Sequence, residues 1–168
     1  MSDTMMPTLG VVPRPVDRHA AHARNRARYY GDGRNWATPP DLFERLDAEF
    51  GFTLDPCASE WNAKCARYFT EAENGLEQSW AGERVFMNPP YGRELYAWTK
   101  KAHEEAMRDV LVVGLVPAAT DLAWWHDHVV CARAEVRYIR GRVRFQTSDG
   151  RWANAFTPSV IVVWRGAA

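Results

Sequence analysis

Residues 85–116 read VFMNPPYGRELYAWTKKAHEEAMRDVLVVGLV, and this stretch decides the fold class. Val85-Phe86-Met87 is a short apolar run that stops at Asn88, the pattern of a buried strand entering a loop. From Arg93 to Met107 the period changes. Leu95, Trp98, Ala102 and Ala106 recur at helical spacing, so one face of a helix is apolar. Val110 to Val116 is almost wholly β-branched or Leu, as in a strand covered on both faces. Strand, helix and strand in that order make a βαβ unit, whose two strands lie parallel with the helix across one face.

The same alternation continues outward. Upstream, Pro39-Pro40 opens a helix from Asp41 to Phe50, with Leu42, Phe43, Leu46 and Phe50 at helical spacing and Gly51 as its stop. Phe52 to Asp55 reads as a short strand, and Glu60 to Tyr68 as a helix. Downstream, Asp121 is placed to cap a helix running through Val130, followed by strands at Glu135–Ile139 and Ser159–Trp164. An α/β fold is expected, a mostly parallel sheet with helices on both faces. Ahead of it, residues 1–17 hold Pro7, Pro13 and Pro15 and no hydrophobic period, and are expected to be disordered. Residues 18–35 form a basic segment with Arg18, Arg24, Arg26 and Arg28, either a solvated surface helix or a phosphate-contacting arm. Residues 36–168 are left as the single globular domain.

Composition sets outer limits. With 46% apolar and 25% charged residues in 168, the chain can bury one real core. No apolar run is long enough to cross a bilayer, and nothing reads as a secretory signal. Cys57, Cys65 and Cys131 are odd in number and lack metal-ligand clustering, so reduced thiols in a cytoplasmic protein without a metal are expected. The formal net charge is zero, so a nucleic-acid partner would have to be held by local basic clusters.

In an open α/β sheet, ligands bind beyond the carboxyl ends of the strands. Two sequences fall there: Asp55-Pro56-Cys57-Ala58 and Asn88-Pro89-Pro90-Tyr91. The second suits attack by a base amine. Such a nitrogen is a poor nucleophile because its lone pair is delocalised, and it must pyramidalise to react. Two acceptors around its N–H bonds favour that change. The Asn88 side-chain oxygen and the Pro89 carbonyl can serve, the latter with no competing N–H. Pro90 stiffens the loop, and Tyr91 offers a face on which an extruded base can stack. The plain alternative is a turn, since Asn-Pro and Pro-Pro are common loop signals. Asp55 has two readings as well: an acceptor for a cofactor's ammonium or ribose, or an Asx-type turn. Arg140, Arg142 and Arg144 stand at alternate positions, which on a strand would share one face. That face is either a DNA phosphate contact or a solvated edge.

Taken in order, Trp36-Ala37-Thr38-Pro39-Pro40, Leu54 to Ser59, Asn62 to Cys65, Tyr68-Phe69-Thr70, Asn74-Gly75-Leu76, Trp80, Asn88 to Tyr91, Leu115 to Ala118, Trp124-Trp125 and Gly141 to Phe145 resemble the phage-type DNA adenine N-6 methyltransferases. The resemblance runs from about Trp36 to Trp164. It implies a Rossmann-like methyltransferase fold, S-adenosylmethionine as methyl donor, and double-stranded DNA as partner in a bacterial host cytoplasm. It implies that Asn88, Pro89, Pro90 and Tyr91 form the catalytic loop, and that Asp55, Pro56 and Ala58 belong to the cofactor loop. Thr38 and Pro39 match an element beside the cofactor's methionine part, and Glu73 or Asn74 approaches its adenosine. Larger methyltransferases carry a glycine-rich turn where Cys57, Ala58 and Ser59 stand here, with no glycine until Gly75. There is no room for a separate recognition domain. The same loop chemistry also suits an RNA base, a cytosine amine or a protein glutamine, and a non-catalytic nucleic-acid-binding relative is the non-enzyme alternative.

Overall fold

The computed structural model describes residues 36–166. The expected N-terminal lead and basic segment lie outside the described residues. Nine strands and three helical segments follow in this order: β1 Trp36–Ala37, α1 Pro40–Phe50, β2 Leu54–Asp55, β3 Arg67–Tyr68, β4 Arg84–Met87, α2 Leu95–Ala106, β5 Leu111–Pro117, α3 Ala123–Trp125, β6 Glu135–Tyr138, β7 Arg144–Thr147, β8 Trp152–Asn154 and β9 Ser159–Trp164. A π-helical turn, His126–Val130, extends α3.

Six strands form the main sheet in the order β3-β2-β4-β5-β9-β6. The pairs β2–β3, β2–β4 and β4–β5 are parallel, whereas β9 runs antiparallel to both β5 and β6. Only β9 is therefore reversed, and the mostly parallel sheet is as the sequence indicates. Alternation along the strands divides the core in two. Val85, Met87, Val112, Val116, Val160, Val162 and Trp164 face one way, onto Leu95, Trp98, Ala102 and Ala106 of α2 and Trp124 and Trp125 of α3. Phe86, Val113, Leu115, Ile161 and Val163 face the other way, onto Leu46 and Phe50 of α1.

Helix α1 carries its own punctuation. Pro40 stands in the first turn, where its missing N–H is no loss, and Asp41 follows in that turn. Gly51 takes the left-handed conformation at φ 62° and its N–H donates to the Asp47 carbonyl at 2.7 Å, closing the helix.

Several expectations are corrected. Glu60–Tyr68 is not a helix. The Asn62 and Ala63 N–H groups turn back onto the Ser59 carbonyl, but Asp55 Oδ2 then takes the Lys64 N–H at 3.1 Å, the donor the next helical bond would need. The segment turns and ends in β3, parallel to β2. Asp121 does not cap α3; the N-cap position is Leu122, with no side-chain cap, and the regular helix lasts one turn before widening. A second, antiparallel sheet, β1-β7-β8, was not expected and packs Phe145 with α1's side of the core. Of the three alternate arginines, only Arg144 is on a strand; Arg140 and Arg142 lie in the loop between β6 and β7.

Candidate active site

The parallel strands deliver the two loops to one end of the sheet. β2 and β4 are adjacent, with Leu54 opposite Val85, so Asp55 and Asn88 leave neighbouring strands in the same direction. The half-buried Cys57 thiol accepts the Asn88 backbone N–H and thereby ties the loops together. Burial, and then the Asp55 charge, hold that thiol well above the ordinary cysteine range, so it stays protonated.

Asn88 is oriented from the other side. Its Nδ2 donates to the Trp36 carbonyl at 3.2 Å. A carbonyl accepts only, so the amide must present nitrogen there and its Oδ1 is turned the other way. Among the described residues no donor reaches that oxygen within hydrogen-bond distance. Pro89 is buried and Pro90 half-buried. The Tyr91 hydroxyl donates to the Leu115 carbonyl at 3.4 Å beside Ser159, and burial raises its pKa above the usual tyrosine range. The Tyr91 ring meets Phe145 edge-on with centroids 6.5 Å apart, and Phe145 in turn packs against Trp36 at 5.2 Å.

Asp55 is 4% exposed, and its carboxylate takes the Cys57 N–H at 3.4 Å and the Lys64 N–H at 3.1 Å. Burial raises its pKa to about 7, against the lowering effect of those two donors and of the Lys64 charge. The side chain thus braces the 56–64 loop from beneath.

A cavity of about 810 Å³ opens beside the two loops. That volume suits a small organic ligand. Pro56 and Gly75 meet at one lip, and Ala58, Asn74, Pro90 and Trp98 also line the cavity. Gly75 is required there by close approach: a Cβ would stand 1.9 Å from the Pro56 carbonyl oxygen. Among the described lining residues Glu60, Glu71 and Glu94 are acidic, and none is Lys, Arg or His. A second cleft, about 470 Å³, has the opposite character. Its described lining includes Arg45, Arg140, Arg142 and Arg144, with Asp41 the one acid among the described lining residues.

Of the residues expected at a cofactor, Pro56 and Ala58 line the acidic cavity, as does Asn74. Asp55 and Thr38, at 4% and 2% exposure, are buried and not in its lining, and Glu73 instead accepts from the Thr70 N–H and hydroxyl at 2.8 Å. Pro39 lines the arginine cleft. Asn88, Pro90 and Tyr91 stay together as one loop, and all three arginines reach one cleft although they do not share a strand. The residues the sequence did not single out are Glu60, Glu94 and Trp98 on the cavity and Arg45 on the cleft. The (i, i+4) step from Glu94 to Trp98 at the start of α2 was the available signal.

The fold and site define a class: an α/β protein whose parallel-strand ends present an acid-lined ligand cavity beside an Asn-Pro-Pro-Tyr loop. The chain belongs to the DNA N-6-adenine-methyltransferase (Dam) family, which matches residues 29–167. It is similar to the DNA N-6-adenine-methyltransferase of Escherichia phage T1, 33% identical over 94 residues that span 55% of this chain and 39% of that protein. It is also similar to YfdM of Escherichia coli (strain K12), named provisionally as a methyltransferase, 40% identical over 67 residues that span 35% of this chain and 72% of that one. Among the described residues no helix is long and apolar enough to cross a membrane.

Proposed function

We propose that the chain is an S-adenosylmethionine-dependent methyltransferase that modifies the N6 amine of adenine in double-stranded DNA, and that its main sheet is a Rossmann-like methyltransferase core. One observation carries the reading. Pro90 of the Asn88–Tyr91 loop lines a cavity that carries carboxylates, and a separate cleft of the same chain is lined by four arginines. The donor is a sulfonium bearing an ammonium, so its charge matches the first; DNA is a polyanion and matches the second.

The residues present fit this cofactor: Pro56, Ala58, Asn74 and the Gly75 backbone would hold it, and Glu60 would supply negative potential beside its positive charge. When bound, the cofactor supplies an electrophilic methyl group. The rest belongs to the chain. Asn88, held by Trp36, keeps Oδ1 free to accept one N–H of the adenine amine. The Pro89 carbonyl accepts the other. The two acceptors draw the nitrogen toward a pyramidal geometry and stabilise the positive charge that develops on it until one N–H proton is lost to solvent. The Tyr91 ring stacks on the extruded base, since a base within the helix is beyond reach. Asp55, outside the cavity lining, positions the two loops, and Cys57, which lines the cavity, ties them together.

Labelled methyl transfer to DNA, RNA and protein in parallel tests the proposal. Label in DNA at adenine N6 supports it, and label confined to RNA or protein overturns it. The cellular setting that follows is the cytoplasm of a bacterial host.

A further inference from the structure

Going beyond that reading, and resting on DNA as its substrate, we infer that the outer face of the β7–β8 hairpin, with the arginine cleft beside it, docks on the DNA and selects the target sequence. The pairing register defines this face. Gln146 stands opposite Trp152, Phe145 opposite Ala153, and Arg144 opposite Asn154. Residues directly opposite share a face, and neighbours along a strand alternate. Phe145, 1% exposed, and Ala153 therefore point inward, toward Trp36 and Tyr91. Arg144, Gln146, Trp152 and Asn154 share the other face, on which Arg144, Trp152 and Asn154 are exposed and Gln146, opposite the buried Ala37, is half-buried.

Their chemistry is that of groove reading. Arg pairs with guanine, and Gln or Asn with adenine, by two hydrogen bonds each in the major groove, which is wide enough for a two-stranded ribbon. Trp152 is 46% exposed on a strand where a solvated edge would carry a charge. Large aromatics and arginine are the residues enriched at binding surfaces. Trp152 also lines the arginine cleft, so hairpin and cleft are one continuous surface. The cleft gathers its charge from three elements: Arg45 from α1, Arg140 and Arg142 from the β6–β7 loop, and Arg144 from β7. The exposed 3.7 Å pair of Arg45 with Asp41 is too weak to hold that guanidinium from a phosphate. The chain's formal net charge is zero, so this concentration of one sign is local. The hairpin's inner face meanwhile braces the rings at the catalytic loop. A small sheet thus joins sequence reading to chemistry.

The test combines methylation of a duplex library with randomised sequence and binding measured against salt, on the full chain. Each variant's S-adenosylmethionine affinity, measured by calorimetry, reports an intact fold. Arg45→Gln should weaken binding alike on all sequences and reduce the slope of log affinity against log salt by about 0.9. Gln146→Ala and Asn154→Ala should leave the slope in place and relax sequence discrimination by at least about fivefold. Trp152→Ala should raise the DNA KM at least about fivefold, with Trp152→Phe recovering most of it. Hairpin variants that methylate the same sequences with unchanged KM overturn the inference, whatever the arginines do. A wild type that binds duplex DNA with these dependences yet transfers no methyl group counts against the proposed activity and leaves the docking surface standing.

Discussion

Replacing Asn88 by alanine separates chemistry from structure. The substitution deletes the Nδ2 donor to the Trp36 carbonyl, a half-buried neutral hydrogen bond of 3.2 Å. Such a bond contributes about 0.5–1.5 kcal/mol. In a domain of this size that lowers Tm by about 2–5 °C, so the protein remains folded at assay temperature. The lost Oδ1 is a different matter. An acceptor aimed at charge that develops in the transition state contributes about 100-fold or more to the rate. Asn88 does not line the acidic cavity, so cofactor affinity should stay within about twofold of wild type. The assay is a triple one on a single preparation: a thermal melt, calorimetric titration with S-adenosylmethionine, and single-turnover methyl transfer. A variant that melts within a few degrees of wild type, binds cofactor normally and turns over within threefold of wild type would refute the role given to Asn88. A parallel loss of cofactor affinity would refute it too, by moving Asn88 from the base to the donor.

Three further outcomes follow from the site's supports. Asp55 has its pKa raised to about 7 from 3.8 by burial, so the folded state binds its proton more tightly than the unfolded chain does. Its contribution to stability is greatest below about pH 4 and falls as pH rises toward 7, by up to about 1.4 kcal/mol per unit. Asp55→Asn should flatten that part of the pH profile in denaturant titrations at pH 5, 6, 7 and 8, and an unchanged profile would show that Asp55 does not titrate there. Gly75→Ala forces a Cβ to 1.9 Å from the Pro56 oxygen, so it should lose about 1–3 kcal/mol of stability and weaken cofactor binding at least tenfold; normal calorimetry would contradict the assignment of that lip. Trp80 is fully buried, donates from its indole to the Gly75 carbonyl at 3.0 Å, and stacks on Trp98 at 6.4 Å. Trp80→Ala should cost about 3–5 kcal/mol in an equilibrium unfolding curve, and Trp80→Phe clearly less.

Where the pattern is long and periodic, the sequence is legible. Leu95, Trp98, Ala102 and Ala106 declared α2, and the run from Val110 to Val116 declared β5, because each buries a continuous face of the main core. The small sheet was not legible for the opposite reason. Its strands have two to four residues, and half of their side chains face outward, so neither period accumulates. Asp149-Gly150 between Arg144–Thr147 and Trp152–Asn154 was the one signal of a hairpin, with Gly150 at φ 81°. The Glu60–Tyr68 segment misled because the local sequence gives no sign of a distant carboxylate that captures a backbone donor, as Asp55 does from Lys64. The site shows the same division. Chemistry put Asn88 and Tyr91 at a strand end correctly, since a parallel sheet leaves them no other place. It could not foresee that Pro39 would turn toward the arginine cleft, because the position of β1 is set by its pairing with β7, more than a hundred residues away.

The central claim is tested most directly by incubating the purified chain with unmodified duplex DNA and methyl-labelled S-adenosylmethionine, then hydrolysing the DNA and identifying the labelled nucleoside. Label is expected on the N6 amine of deoxyadenosine, and at a rate at least about 100-fold lower with Asn88→Ala at matched protein and cofactor binding. Label on cytosine, or equal label with both proteins, would contradict it.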